Sequence, residues 1–152
     1  GDDAAIADDA GSRASLWALR EVIPEAAGAL GVPHKIDVGV PADRLAALLT
    51  DVPDALTAVA PGARVFAFGH LADGNVHFAI IGTPPDDPAV DDVVLERVVA
   101  LGGTISAEHG VGVATTAWLN RGRGAAEVGA MRQIKAALDP SGLLNPGVVF
   151  ER

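Results

Sequence analysis

The chain has 152 residues and 49% hydrophobic content, the size of one domain able to bury a sizeable core. Its 11 Lys and Arg face 20 Asp and Glu, and the formal net charge of -9 works against nucleic-acid backbones and anionic lipid as partners. There is no Cys, which excludes disulfides, thiolate metal sites and cysteine nucleophiles, so any metal must be held by nitrogen and oxygen.

From Ser12 to about Leu30, Leu16, Leu19, Val22 and Ile23 recur at helical spacing with Trp17 beside them, predicting a helix that is bent or interrupted near Pro24 and stopped at Gly31. Ile36, Val38 and Val40 alternate over His34 to Val40, the period of a half-buried strand. Pro41 and Asp43 open a helix carrying Leu45, Leu48, Leu49 and Val52, and a stretch after Pro53 holds Leu56 and Val59; two short helices or one kinked helix fit equally. Ala63 to Gly69 reads as a strand, returned by a hairpin through Val76 to Ile81. The proline-rich segment Gly82 to Pro88 is a loop, Val90 to Leu101 a helix ended by Gly102-Gly103, and Thr104-Ile105-Ser106 a short strand candidate. Trp118-Leu119 lies in an ill-defined helical stretch, and Ala125 to Leu138 is a helix closed by Asp139-Pro140. The order from His34 to Ser106 is strand, helix, strand, strand, helix, strand, which predicts an α+β fold: a ferredoxin-like antiparallel sheet (βαββαβ) in a single domain, with extra flanking helices.

The chemistry concentrates around the hairpin. Asp73-Gly74 suits a two-residue turn, and that register would set His70 directly opposite His77. Opposed strand residues have Cβ atoms ~4.5–5.5 Å apart, close enough for one metal ion to bridge the rings. Glu108 can complete a two-histidine, one-carboxylate site with open positions, suited to zinc, manganese or ferrous iron acting as a Lewis acid. On extended backbone His109 would point to the other face from Glu108, which makes it a general base rather than a fourth ligand. Gly110 and Gly112 would let backbone pass close to a ligand. Gly110-Val111-Gly112 and Gly122-Arg123-Gly124 lack the third glycine and the strand-loop-helix context of a dinucleotide fingerprint.

Three segments then carry a resemblance: Gly69-His70-Leu71-Ala72-Asp73-Gly74-Asn75-Val76-His77, Ser106-Ala107-Glu108-His109-Gly110-Val111-Gly112, and Ile134 to Gly147 with its Asp139-Pro140-Ser141-Gly142-Leu143-Leu144-Asn145-Pro146-Gly147. In this order they resemble the C-terminal signatures of the FAD-linked oxidases, a family that includes D-lactate dehydrogenase, the glycolate oxidase flavin subunit and D-2-hydroxyglutarate dehydrogenase. Leu19-Arg20-Glu21 and His34-Lys35-Ile36-Asp37-Val38-Gly39-Val40-Pro41 look most like the last of these branches. The resemblance implies a divalent metal, zinc first among the candidates, held by His70, His77 and Glu108, with His109 as base. It implies substrate carboxylates held by Arg20 and Lys35, and Asn145 approaching the flavin. The implied reaction is oxidation of a D-2-hydroxy acid of the 2-hydroxyglutarate, lactate or glycolate type, by hydride transfer to FAD held mainly by a flavin-binding domain outside this chain. Val148 and Ala79 depart from the family pattern, where a lysine and an asparagine are common. The implied partners are the small hydroxy acid and the flavin-binding domain; the electron acceptor is unspecified and a homodimer is left open.

No apolar run approaches the ~20 residues of a bilayer-spanning helix, and the acidic start lacks the basic flank of a signal peptide, so a cytoplasmic location is expected. A second reading from a different class is a non-catalytic ferredoxin-like module that binds a metal or a partner protein.

Overall fold

The computed structural model describes residues 4–150. Helix α1 (Ala10–Gly28) starts where the Asp9 carboxylate accepts hydrogen bonds from the Gly11 and Ser12 amides, and it runs through Pro24 without a break. Strand β1 (His34–Gly39) leads through a single 3₁₀ turn at Ala42–Arg44 into α2 (Leu45–Val59), which is one helix across Pro53. Strands β2 (Arg64–His70) and β3 (Asn75–Ile81) form the hairpin. Helix α3 (Pro88–Ala100) has Pro88 in its first turn and Asp87 capping the Ala89 amide, the placement a proline tolerates because its missing N–H has no partner there. A 3₁₀ turn (Thr116–Trp118) leads into the one-turn helix α4 (Leu119–Gly122), and α5 (Ala125–Leu138) follows.

The sheet is antiparallel with order β1-β3-β2, and the architecture is α+β. Strand parity divides its residues between two faces. Ile36 and Val38 of β1 with Val76, Phe78 and Ile80 of β3 face a core built with Leu45, Leu48, Val52 and Leu56 of α2 and Val90, Val94, Leu95 and Val98 of α3. The spacing of those helical residues is that of one apolar stripe per helix, and each fully buried side chain is worth about 1.5–3 kcal/mol. The other face carries Lys35 and Asp37 of β1, Asn75, His77 and Ala79 of β3, and Phe66, Phe68 and His70 of β2. Helix α1 lies against this second face: the Arg20 guanidinium is 5.6 Å from the Phe68 ring and the Trp17 ring 6.4 Å from that of His70. The apolar stripe that marks α1 in the sequence stays largely outside, with Leu16, Leu19 and Val22 exposed and Ala27 buried.

Helix α1 is not interrupted at Pro24 as the sequence suggested, and two details of the sheet also differ from the expectation. The fourth strand of the βαββαβ order is reduced to one antiparallel bridge, in which Gly39 and Thr104 exchange both backbone hydrogen bonds. The Thr104 hydroxyl then donates to the Ser106 carbonyl, a local bond that competes with continuing the ladder, while Ile105 turns into the core. The hairpin loop is also longer than a two-residue turn: Leu71–Asp73 form a 3₁₀ turn and Gly74 closes it at φ 67°. Gly74 is required there, because its carbonyl accepts from the Val40 amide at 2.9 Å and a Cβ would drive into the Val40 carbonyl oxygen.

Candidate functional site

The four-residue loop shifts the hairpin register by two. His77 stands opposite Phe68, and His70 opposite Asn75, instead of the histidines facing each other. A shift of two preserves the face on which each side chain projects, whereas a shift of one would have separated the rings. The histidines are therefore diagonal neighbours on the α1 side of the sheet, their ring centroids 6.5 Å apart and nearly perpendicular.

Glu108 reaches both rings from the loop after the Thr104 bridge. Its Oε1 is 3.7 Å from His70 Nε2 and its Oε2 3.8 Å from His77 Nε2, and the donor atoms of the three residues lie within 4.8 Å of one another. Ligands each ~2.0–2.2 Å from a shared zinc ion in tetrahedral geometry stand about 3.3–3.6 Å apart, so the set fits a divalent cation with little adjustment. His77 is held below the ordinary imidazole value: burial disfavours its charged form, and the nearby Asp37 and Glu108 carboxylates do not offset it. A neutral ring keeps a nitrogen lone pair for a metal.

The segment holding Glu108 and His109 is neither helix nor strand. Both side chains consequently line the same cavity, a correction to the opposite-face expectation, which holds only for extended backbone. The His109 ring stacks on His77 with centroids 5.7 Å apart, leaving His109 mostly exposed. The cavity, of about 310 Å³, is also lined by Arg20, Lys35, His77 and Phe68. Arg20 places Nη2 3.4 Å from His70 Nε2, and its buried Nε has no hydrogen-bond partner among the described residues. Lys35 stands on β1 opposite Ala79, two residues along the strand from Asp37 and on the same face.

Asp37 is the residue that motif spacing did not single out. It is buried at 8% exposure and its two oxygens are fully engaged. Oδ1 accepts from the Asn75 amide at 2.8 Å and lies 3.4 Å from His77 Nδ1, while Oδ2 accepts from the Glu108 and His109 backbone amides at 2.7 and 2.9 Å. Burial alone would raise its carboxyl, but those amide hydrogen bonds outweigh it and hold the group below the usual carboxylate range. An acid between the apolar Ile36 and Val38, two residues beyond Lys35 on the same strand face, was the available signal. Its partners lie about 40 and 70 residues downstream, beyond the reach of local pattern.

Asn145 is not brought to this cavity. It sits at φ 43° in the terminal turn, in a separate cavity with Lys135, Leu144 and Phe150. His34, the histidine outside the motifs, is buried and structural: Nε2 meets Asp91 at 2.7 Å and Nδ1 the Pro84 carbonyl at 3.1 Å.

Comparison with known proteins agrees with these motifs. The family model described as FAD linked oxidases, C-terminal domain, matches residues 1–149, and the chain belongs to that family. It is 35% identical over 144 residues to a D-2-hydroxyglutarate dehydrogenase of Stutzerimonas stutzeri, covering 90% of this chain and 31% of the relative. A protein of the same name from Xanthomonas citri is 36% identical over 157 residues, covering 98% and 33%. An uncharacterized FAD-linked oxidoreductase of Mycobacterium tuberculosis is 40% identical over 143 residues, covering 93% and 31%. The chain thus spans about a third of the length of the curated relatives it matches.

Proposed function

We propose that this member of the FAD-linked oxidase family is the substrate- and metal-holding part of an FAD-dependent dehydrogenase of D-2-hydroxy acids, of the 2-hydroxyglutarate, lactate or glycolate type. The observation that carries the proposal is that the His70, His77 and Glu108 donor cluster adjoins one cavity, which His77 and Glu108 line together with Arg20, Lys35 and His109. In this reading His70, His77 and Glu108 hold a divalent cation, zinc first among the candidates. The cation supplies Lewis acidity toward the substrate hydroxyl, and FAD, held mainly by a flavin-binding domain, supplies a two-electron acceptor.

The chain's own residues do the rest. Arg20 and Lys35 bind carboxylate oxygens, with the guanidinium fork suited to two parallel hydrogen bonds. Arg20 Nη2 lies 3.4 Å from His70 Nε2, so the guanidinium would meet a substrate carboxylate beside the donor cluster. His109, stacked on His77 at the cavity wall, takes the hydroxyl proton. Phe68 and Ala79 close the site against the sheet with apolar surface, which strengthens the charge interactions inside. Asn145 belongs to the surface that approaches the flavin.

The test has two parts. The purified chain should bind about one equivalent of zinc by titration calorimetry, and His77→Ala and Glu108→Gln should each abolish it. Co-expressed with a flavin-binding domain of the family, it should support flavin bleaching on addition of D-2-hydroxyglutarate, D-lactate or glycolate, and His109→Ala should slow bleaching at least a hundredfold. Bleaching at an unchanged rate would refute the base assignment. Absence of zinc binding would refute the donor triad, and zinc binding without any bleaching would favour a non-catalytic metal-binding module.

A further inference from the structure

We infer that Asp37 is a positioning residue that couples the metal donors to the base, holding the Glu108–His109 peptide at a set distance from His77. The inference rests on the reading of His70, His77 and Glu108 as a metal triad.

Asp37 and His77 are register partners on adjacent strands, so the distance between their side chains is set by the most rigid element near the site. The Asn75 amide donates to Asp37 Oδ1 and fixes the rotamer, which leaves Oδ2 pointing at the following loop. That loop has no regular structure of its own around Glu108 and His109. Among the described residues, the hydrogen bonds made by the Glu108 and His109 amides both end on Asp37 Oδ2. One buried carboxylate therefore decides where the Glu108 carboxylate meets His70 and His77, and where the His109 ring stacks. Oδ1 also stands beside His77 Nδ1, the nitrogen remote from Glu108, and a carboxylate there favours the tautomer with its proton on Nδ1 and the Nε2 lone pair free. A neutral amide can accept from the two backbone amides, but its own NH₂ then stands where Oδ1 stood, toward the Asn75 NH₂ and toward His77 Nδ1; turning the Asn75 amide over presents its otherwise unpartnered Oδ1 and relieves the first clash but not the second. Asp37→Asn keeps the volume and breaks the hydrogen-bond logic.

The swap Asp37→Asn with Asn75→Asp restores a donor–acceptor pair between the two side chains and leaves the amide oxygen of residue 37 under the Glu108 and His109 N–H groups. Zinc affinity of the chain is measured by competition with a chelator, with the visible absorption of added cobalt reporting donor geometry and ¹⁵N shifts reporting the Glu108 and His109 amides. Expected is a ten- to hundredfold loss of zinc affinity in Asp37→Asn, a weakened cobalt band and displaced amide signals, with the amide signals restored in the swap and the zinc affinity recovered only in part, because the residue 37 NH₂ still faces His77 Nδ1. A purely structural Asp37 would lower thermal stability while leaving zinc affinity and the cobalt band unchanged in the folded protein, and that result overturns the inference while the triad stands. If Asp37→Asn does not fold, the swap decides: binding weaker than wild type by more than about a hundredfold in a folded swap overturns it, as does a swap that fails to fold. A wild-type chain that binds no zinc removes the triad and this inference together.

Discussion

Replacing Gly74 by alanine tests whether the hairpin loop is held where it is by a backbone clasp. Gly74 has φ 67°, its carbonyl accepts from the Val40 amide at 2.9 Å, and a Cβ would collide with the Val40 carbonyl. The left-handed conformation alone costs a non-glycine residue about 1–2 kcal/mol. The collision cannot be relieved by a rotamer change, because both atoms are backbone or bonded directly to it. The turn must withdraw, and losing the clasp leaves the amide of buried Val40 without its acceptor, at about 1–3 kcal/mol. The combined expectation is about 2–5 kcal/mol. Gly62→Ala is the internal control: its φ is 88° but nothing lies within 4 Å of the added Cβ, so only the conformational cost of about 1–2 kcal/mol applies. Urea unfolding followed by circular dichroism gives both values. If Gly74→Ala is no more destabilising than Gly62→Ala, the clasp is not what holds the loop and the steric reasoning is wrong. Because His70 and His77 flank this loop, zinc affinity should fall in Gly74→Ala and not in Gly62→Ala.

Two further outcomes follow from groups away from the cavity. Burial pushes the His34 imidazole down, but the Asp91 and Pro84 hydrogen bonds more than compensate, so the folded value lies above the ordinary 6.5. A raised folded value means that this stabilisation is full below about pH 6.5 and is lost as pH rises through the folded value. The stability difference between wild type and Asp91→Asn, from urea melts between pH 5.5 and 8.5, should shrink toward high pH; a constant or growing difference contradicts the assignment. Ile105 is 2% exposed and carries the chain from the Thr104 bridge toward Glu108, so Ile105→Ala should cost about 2–5 kcal/mol in urea unfolding and also weaken zinc binding. A loss of stability with unchanged zinc affinity would show that the loop is set by Asp37 without help from the core.

Much of this protein was legible in the chain because the informative signals are local. Alternation in His34 to Val40, the helical stripes of Leu45, Leu48, Val52 and Leu56 and of Val90, Val94 and Val98, and the glycines that stop them depend on backbone period and turn chemistry alone. The pairing of His70 with His77 on one face was also legible despite a wrong register, because a two-residue slip keeps strand parity. The tertiary structure alone decided the loop length, since the clasp on Gly74 comes from Val40, outside the hairpin. It alone laid Arg20 of α1 over Phe68 and His70, although the apolar stripe of that helix remains largely exposed. It kept Asn145 in a cavity of its own, apart from His70, His77 and Glu108. It showed that Glu108 and His109 share a cavity because their segment is not extended, and it supplied the reason in Asp37, whose partners are far apart in sequence and adjacent through the sheet register. Local periodicity can say which side of a strand a residue occupies; which distant groups satisfy a buried carboxylate is determined only when the strands have paired and the loops have closed.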